Sequence, residues 1–578
     1  MGTRAISVTA SVVLAAVVGV AGAAGSAPVP APPVLKDGPV VEVQILGLND
    51  FHGNLQPPSG SSGRVGSVNA GGAEYLATHI AELEKANANS IVVSAGDLIG
   101  ASPLLSALFH DEPTIEAMNE IGLDLNAVGN HEFDEGVAEL GRMQDGGCHP
   151  VDGCLDGDDF SGADFDFLAA NVVNEETGEP LFAPYRIKNF NGARVAFIGM
   201  TLEGTPTIVS PAGVAGYEFR DEADTVNELV PKLRKRGVES IVVLLHEGGV
   251  PATFDINGCA GISGPIVDIT ERMDDAVDLV ISGHTHQPYH CVIDGTPVTS
   301  AYSFGRLVTD IDMRVDRRTG DVVGMAINNK VVTRDVAKAP EITSLIERYQ
   351  ELAAPIANRP IGSITADITR ENDESLEQSL GNTIADAQLA ATDDAGTGDA
   401  ALALMNPGGV RADLLFESSD AGEGDGVVTY GEAFTVQPFG NSLVTMNLTG
   451  AQIEQVLEEQ FCGINSPAND GFFRVLLPSA GLHYTWTRSA TGAADCALAD
   501  GVEPGSVTLN GAALDPSAIY RVTVNSFLAD GGDGFATLKE GTDRLGGAVD
   551  TDAFEAYLTA AGETGLSPAP RDRIDVQP

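Results

Sequence analysis

Five short apolar runs in the first half of the sequence each end on residues of metal-ligand type, and this coincidence constrains the fold more than any other feature. LGL (46–48) runs into Asn49, Asp50, Phe51 and His52, and VVSAG (92–96) into Asp97. AVG (127–129) is followed by Asn130 and His131, IVVLL (241–245) by His246, and LVISG (279–283) by His284, Thr285 and His286. The runs are short and β-branched. Several are apolar throughout, which suits strands covered on both faces. Stretches with apolar residues at helical spacing lie between them, at 73–86 and 223–237. The alternation predicts a layered α/β architecture. In an α/β sheet, ligands collect beyond the carboxyl ends of the strands. The five run ends would therefore bring Asp50, His52, Asp97, Asn130, His246, His284 and His286 to one rim.

Imidazole and carboxylate donors suit borderline divalent cations such as zinc, manganese, cobalt or iron, and an amide oxygen can complete a shell. Seven donors are enough for two ions, and a shared carboxylate would have to lie between them. Asp97 is the expected bridge. A lone histidine reads as a hydrogen-bonded structural residue, but an ordered set after successive strands reads as ligands. Within AVGNHEFDEG (127–136), His131 has the ordinary pKa of a proton donor at neutral pH. Asp134, three positions on, either orients that ring or caps a helix start.

The chain has 578 residues, long enough for more than one domain, and 82 acidic against 32 basic side chains give a net charge of −50. That charge argues against nucleic-acid polymers and anionic membranes as partners. An anionic substrate would need local cations to overcome it. Residues 1–27 read as a secretory signal: Arg4, then a short apolar stretch, then small residues. The alternative, an uncleaved anchor, is disfavoured because a span needs about 20 apolar residues. Residues 28–39 form a Pro-rich leader, and the C-terminal tail shows no hydrophobic anchor, so no stable membrane anchor is expected. The expected location is secreted, extracellular or periplasmic. The six cysteines then suggest disulfides, expected between sequence neighbours Cys148/Cys154, Cys259/Cys291 and Cys462/Cys496.

Residues 40–337 are expected to form the first domain and 338–360 a linking helix with prolines at its ends. In that helix Ile342, Leu345, Ile346, Tyr349 and Leu352 recur at helical spacing. The pattern then restarts over 361–578 as a smaller α+β domain. Helices are expected at GNTIADAQLAAT (381–392) and AQIEQVLEEQF (451–461). Strands are expected at ALALMN, within FTVQPFGNSLVTMNLTG (434–450) and at IYRVTVNSF. Residues 418–426 read as a solvated acidic loop. Phe439 and Phe527 lie in Gly-flanked turns, where they either stack on a base or belong to the core.

NDFHG, SAGDLIGAS, VGNHEFDEG, LLHEGG and SGHTH, in this order, resemble the calcineurin-like metallophosphoesterases. With NPGGVR (406–411), QPFGN (437–441) and FLADGGDGF (527–535), the chain resembles the secreted bacterial 5′-nucleotidase / UDP-sugar hydrolase family over residues 42–570. The resemblance implies a four-layer α/β/β/α phosphoesterase domain joined by a helix to a substrate-binding domain. It implies one divalent ion on Asp50, His52, Asp97 and His286, and another on Asp97, Asn130, His246 and His284. His131 and Asp134 would be the catalytic dyad. Asn406, Arg411, Phe439, Asn441, Phe527 and Asp533 would bind a nucleotide. The implied reaction is attack of metal-activated hydroxide on the phosphorus of 5′-nucleoside monophosphates or UDP-sugars. The alternatives are a 2′,3′-cyclic-nucleotide phosphodiesterase with 3′-nucleotidase activity and a non-catalytic nucleotide-binding protein. One departure stands out: close relatives often carry an arginine shortly before LGN, whereas here ESLEQSLGN (374–382) has none and the nearest is Arg370. The sequence does not give the oligomeric state.

Overall fold

The strand Val40–Leu48 buries both of its faces, and that fixes the layers around it. Ile45 enters a core shared with Phe197, Val242 and Ile281. The next residue, Leu46, packs on the opposite side with Leu76, Ile115 and Met118. This is why the run is apolar without alternation. The structure is a computed structural model describing residues 39–577, apart from 59, 210–212, 420–421, 466–473, 488–495 and 497–500. The expected signal segment and all of the leader except Pro39 lie outside the described residues.

Among the described residues the first sheet runs, in spatial order, Val322–Val331, Leu307–Asp316, Val40–Leu48, Ser90–Ser94, Leu125–Ala127 and Asp166–Leu168. The last four are parallel neighbours. The second sheet runs Pro288–Ile293, Thr296–Ala301, Leu279–Ser282, Ser240–His246, Ala193–Thr201 and Tyr185–Phe190. Its four central strands are also parallel. The helices Ala73–Glu84, Glu112–Ile121 and Val137–Asp145 cover the outer face of the first sheet through Leu76, Met118 and Leu140. Glu222–Lys235 and Pro265–Arg272 cover the second through Val226, Val230 and Ile266. The result is the expected four-layer α/β/β/α domain.

Pro340–Ala357 is helical, with proline in its first turn and Ile342, Ile346, Tyr349 and Ala353 buried. Tyr349 donates from its hydroxyl to Glu116 and Asp156, each at 3.1 Å, docking the helix on the first domain. Leu352, expected on the packed face, is exposed. In the second domain a five-stranded sheet runs Leu477–Pro478, Leu402–Met405, Ile519–Asn525, Ser442–Thr449 and Thr542–Val549. Helix Ser379–Ala390 packs against it, so this domain is α+β.

The strand expectation fails over the start of FTVQPFGN. Phe434–Val436 closes the helix Tyr430–Val436, and the strand begins only at Ser442. A capping box causes this: Thr429 accepts from Glu432 N–H while the Glu432 side chain accepts from Thr429 N–H. The three cysteine pairs are bonded as expected: Cys148–Cys154, Cys259–Cys291 and Cys462–Cys496. Among the described residues no helix is long and apolar enough to cross a membrane. Val40–Pro578 is one compact unit, so both domains can contribute to one site.

Candidate functional site

Past the parallel strands Val40–Leu48 and Ser90–Ser94 the chain leaves the sheet but stays paired. Asp50 N–H donates to Gly96 O at 2.9 Å and His52 N–H to Asp97 O at 3.0 Å. The turns this makes are tight. Asp50, His52, Asp97, His284 and His286 have φ of 49°, 48°, 54°, 69° and 51°, the left-handed region that non-glycine residues rarely occupy. Each such residue costs about 1–3 kcal/mol and persists only where the surroundings over-determine it. Five of the seven expected ligands carry this strain, in the turns that hold their side chains together beyond the sheets.

The seven residues separate into two adjoining groups. In each of the sets Asp50/His52/His286 and Asp97/His246/His284, one donor atom per residue lies within 4.8 Å of the others. Asn130 joins the second set: its Oδ1 is 3.1 Å from His246 Nε2 and 2.9 Å from His284 Nδ1. Asp97 Oδ2 lies between the groups, 3.0 Å from His246 Nε2 and 3.6 Å from His52 Nε2.

The donor set fits cations. His52 Nδ1 faces Gly100 O at 2.8 Å and His246 Nδ1 faces Ala95 O at 2.7 Å, so each of these nitrogens carries the proton. In the neutral rings Nε2 then presents a lone pair inward. The lone pair of His52 meets His286 Nε2 at 3.1 Å, and that of His246 meets the Asp97 carboxylate. A cation placed between such groups satisfies them all at once. Without a cation a proton takes that place at His246: burial pulls its pKa down, but Asp97, Asp50 and Glu132 outweigh it and hold it up at about 10. At His52, His284 and His286 burial prevails and the pKa falls.

His131 stands beside this centre. Its backbone N–H donates to Asp97 Oδ1 at 2.9 Å, and its Nδ1 faces Asp134 at 2.9 and 3.1 Å. Burial lowers the His131 pKa, but the Asp134 and Asp97 charges more than reverse this and the net shift is upward. Asp134 is itself fixed by Ala101 N–H at 3.1 Å. Glu132 is a residue that motif reasoning left without a role. Its carboxylate accepts from the backbone N–H of Asp97, Leu98 and Gly129 at 2.8–2.9 Å and from Asn126 Nδ2 at 3.1 Å. It ties together the turns that carry Asp97 and Asn130. Burial and the nearby Asp97 push its pKa up to about 7.

The second domain closes the site. One cavity of about 660 Å³ has Asp97, Asn130, His131, Asp134, His284 and His286 on one wall. Asn406, Arg411, Phe439, Asn441, Phe527 and Asp533 line the other. Asp50, His52 and His246 lie fully buried behind the first wall. Leu402–Met405 and Ile519–Asn525 are parallel neighbours, so their ends bring Asn406 and Asn525 together, with Asn525 Nδ2 donating to Asn406 Oδ1 at 2.9 Å. Asn406 Nδ2 donates in turn to Asp533 Oδ2 at 2.9 Å. Asn406 therefore holds Asp533 in place, and both lie mostly buried in the wall. Asn441 accepts from Ser526 Oγ at 3.1 Å. The Phe439 ring stacks at 5.7 Å from the His131 ring, and the Arg411 guanidinium lies 5.8 Å from the Phe439 centroid.

Arg370, the nearest arginine before LGN, lies behind Arg411 rather than among the residues that line the cavity. Arg370 bonds Val410 O at 3.4 Å and crosses to Ser62 Oγ in the first domain at 3.0 Å. Burial lowers the Arg411 pKa to about 10, and the nearby charge of Arg370 adds to this. Arg474 also lines the cavity, with its Nε 3.7 Å from Asp533 Oδ1. No motif in the sequence singled it out.

Residues 43–288 match the family model of calcineurin-like phosphoesterases, and residues 360–540 match that of the 5′-nucleotidase C-terminal domain. The chain is 34% identical over 546 residues to cell wall protein Lmo0130 of Listeria monocytogenes serovar 1/2a, covering 90% of this chain and 67% of that one. It is 33% identical over 497 residues to endonuclease YhcR of Bacillus subtilis (strain 168), covering 85% of this chain but only 37% of that protein's length. The solved structure of a 5′-nucleotidase precursor from Thermus thermophilus matches with a TM-score of 0.73 and 26% identity, covering 93% of this chain and 100% of that one. Both domains, their order and the chemistry of the cavity between them agree: the chain belongs to the 5′-nucleotidase family and is a metal-dependent phosphoester hydrolase.

Proposed function

We propose that the protein is a secreted hydrolase that removes phosphate from 5′-nucleoside monophosphates, with room for UDP-sugars. One observation carries this reading: the candidate cation ligands and a His–Asp pair face, across one cavity, two half-buried phenylalanines and two arginines, Arg411 and Arg474. That is the complement of a nucleotide, with an anionic ester at one end and a flat base at the other.

In this reading Asp50, His52, Asp97 and His286 hold one divalent ion, and Asp97, Asn130, His246 and His284 hold a second. Such ions, when bound, supply neutralisation of the phosphate oxygens and acidify the attacking water. Arg411, with Arg370 behind it, adds positive charge beside the phosphate, offsetting a chain of net charge −50. Phe439 and Phe527 hold the base by stacking, and Asn441 and Asp533 present polar groups to its edge or to the ribose. His131, held by Asp134, gives its proton to the departing alkoxide oxygen. Export is supported by the N-terminal sequence and by the three disulfides.

The test is phosphate release from AMP, UDP-glucose and 2′,3′-cyclic AMP, with and without a chelator. The proposal expects chelator-sensitive release that is fastest from AMP. Preference for the cyclic substrate would favour the phosphodiesterase reading. No release with manganese, zinc or cobalt would leave only nucleotide binding.

A further inference from the structure

A single peptide group serves a candidate metal ligand and the His–Asp pair at once. Gly100 C=O accepts from His52 Nδ1 at 2.8 Å, and Ala101 N–H donates to Asp134 Oδ2 at 3.1 Å. These are the two polar ends of the bond that joins Gly100 to Ala101. A peptide bond is planar, so its C=O and N–H cannot turn independently. Whatever sets this plane therefore sets both the His52 ring and the carboxylate beside His131. The plane lies hard against the pair: a Cβ added at Gly100 would overlap His131 O and come within 2.8 Å of Asp134 Oδ2. Both residues are left-handed, with φ of 78° at Gly100 and 49° at Ala101. At Ala101 such backbone persists only where its surroundings fix it.

Asp111 supplies that fixing contact. Its Oδ2 accepts from Gly100 N–H at 2.9 Å and its Oδ1 from the Ser106 hydroxyl at 2.5 Å. Ser106 Oγ lies 2.7 Å from Thr114 Oγ1, and Asp111 N–H donates to Ser106 O at 3.0 Å. Asp111, Ser106 and Thr114 are all buried. Asp111 also stands at the start of the helix Glu112–Ile121, whose Ile115, Ala117 and Met118 pack into the core of the first domain. The Gly100 turn is thus referenced to a packed helix layer rather than to a loop.

We propose that Asp111 is a positioning residue for the phosphoester hydrolysis, acting through the Gly100–Ala101 peptide on His52 and Asp134 together. Without its carboxylate, Gly100 N–H loses its acceptor and the plane can rock. The His52 ring then loses the fixed acceptor that keeps Nε2 turned toward His286 and Asp97. Asp134 loses a fixed donor in the same movement. Hydrogen bonds in series also polarise one another, so a change at one end of this chain is felt at the other. His246 is oriented separately, by Ala95 O. The effect on metal binding should therefore fall on the ion held by His52 and spare the one held by His246. The inference rests on the roles proposed above for His52 and for the His131–Asp134 pair.

The test compares Asp111→Gly and Asp111→Asn with wild type. Glycine suits the φ of 62° at this position, so the backbone keeps its course while the carboxylate goes. Asparagine keeps an oxygen for Gly100 N–H and brings an amide that can donate to Ser106, whose hydroxyl can turn to Thr114. The readouts are stepwise zinc affinities by chelator competition, and kcat on phenyl phosphate and p-nitrophenyl phosphate. In Asp111→Gly one zinc affinity should fall about 10- to 100-fold, the usual cost of losing an outer-shell partner, and the other should hold. Its kcat should fall about tenfold more on phenyl phosphate, whose leaving oxygen needs the proton, than on p-nitrophenyl phosphate. Asp111→Asn should restore both readouts. Unchanged zinc affinities, equal losses at both ions, or no rescue by asparagine would overturn the proposal. His131→Ala is the control for the reading beneath it. Equal losses on the two esters in that variant would refute the proton-donor assignment and leave the zinc affinities to decide for Asp111. An ester-dependent loss in His131→Ala that Asp111→Gly does not share would overturn the link to Asp134.

Discussion

Replacing His131 by alanine, and Asp134 by asparagine, tests the chemistry of the cavity directly. His131 ligates neither ion in the arrangement described, so both variants should keep the catalytic metal content of wild type. General-acid catalysis by a positioned side chain contributes about 10²–10⁴-fold, and His131→Ala should lower kcat for AMP by that factor. Asp134 acts through His131. Its contacts to Nδ1, at 2.9 and 3.1 Å, form a charge-assisted hydrogen bond worth about 1.5–3 kcal/mol. Asp134→Asn should therefore cost roughly 10- to 100-fold in kcat. It should also move the alkaline limb of the pH–rate profile to lower pH, because the Asp134 charge helps to hold the His131 pKa above its ordinary value. Asp134→Asn should add little in a His131→Ala background, since groups acting as one unit are not additive. The decisive assay pairs AMP with a p-nitrophenyl phosphate ester, whose leaving group needs no proton. Both variants should lose far less on the activated ester. Equal losses on the two substrates would refute the assignment of His131 as proton donor.

Phe439→Ala should raise KM for AMP by about 5- to 150-fold, the equivalent of one lost stacking contact, and leave KM for a base-free phosphate ester unchanged; steady-state kinetics on both esters checks this. Arg370→Gln should raise KM for AMP and the base-free ester alike, by about tenfold or more if a charge-assisted contact is lost; an unchanged KM for both would remove Arg370 from the phosphate field. Asp278 gives a pH prediction. Burial raises its folded pKa from 3.8 to about 6, so its ionised form is disfavoured in the native state. Its contribution is neutral below 3.8, turns progressively unfavourable up to about 6 and is constant above. The stability gain of Asp278→Asn over wild type, measured by urea unfolding, should grow across that window to at most about 3 kcal/mol. A gain independent of pH would contradict it.

The grouping of the seven candidate ligands was legible because each stands within a few residues of the end of an apolar, β-branched run, and parallel strands turn those sequence positions into one rim. The linking helix was legible from its apolar spacing, although exposed Leu352 shows that spacing alone does not say which residues find a partner. Two features depended on long-range contacts. Glu132 has its role only because the backbone of Asp97 and Leu98, more than thirty positions earlier, folds back onto it. Arg370, twelve positions before Asn382, bridges the second domain to Ser62 of the first and lies beside Arg411, on a loop whose course no local pattern predicts. The misread strand at Phe434–Val436 was different. Its cause was in the sequence, in the Thr429–Glu432 capping box, but an apolar triplet does not distinguish strand from helix end.

The left-handed backbone at Asp50, His52, Asp97, His284 and His286 bears on how this fold can evolve. At about 1–3 kcal/mol each, five such residues hold strain comparable to the whole net stability of an ordinary domain, about 5–15 kcal/mol. Glycine at any of them would relieve the backbone strain, but would delete a candidate metal ligand and, at buried Asp50, His52 or Asp97, leave hydrogen-bond partners unsatisfied. The strain there cannot be released by a simple substitution without unmaking the site. Lineages that gain stability must do so in the four-layer core.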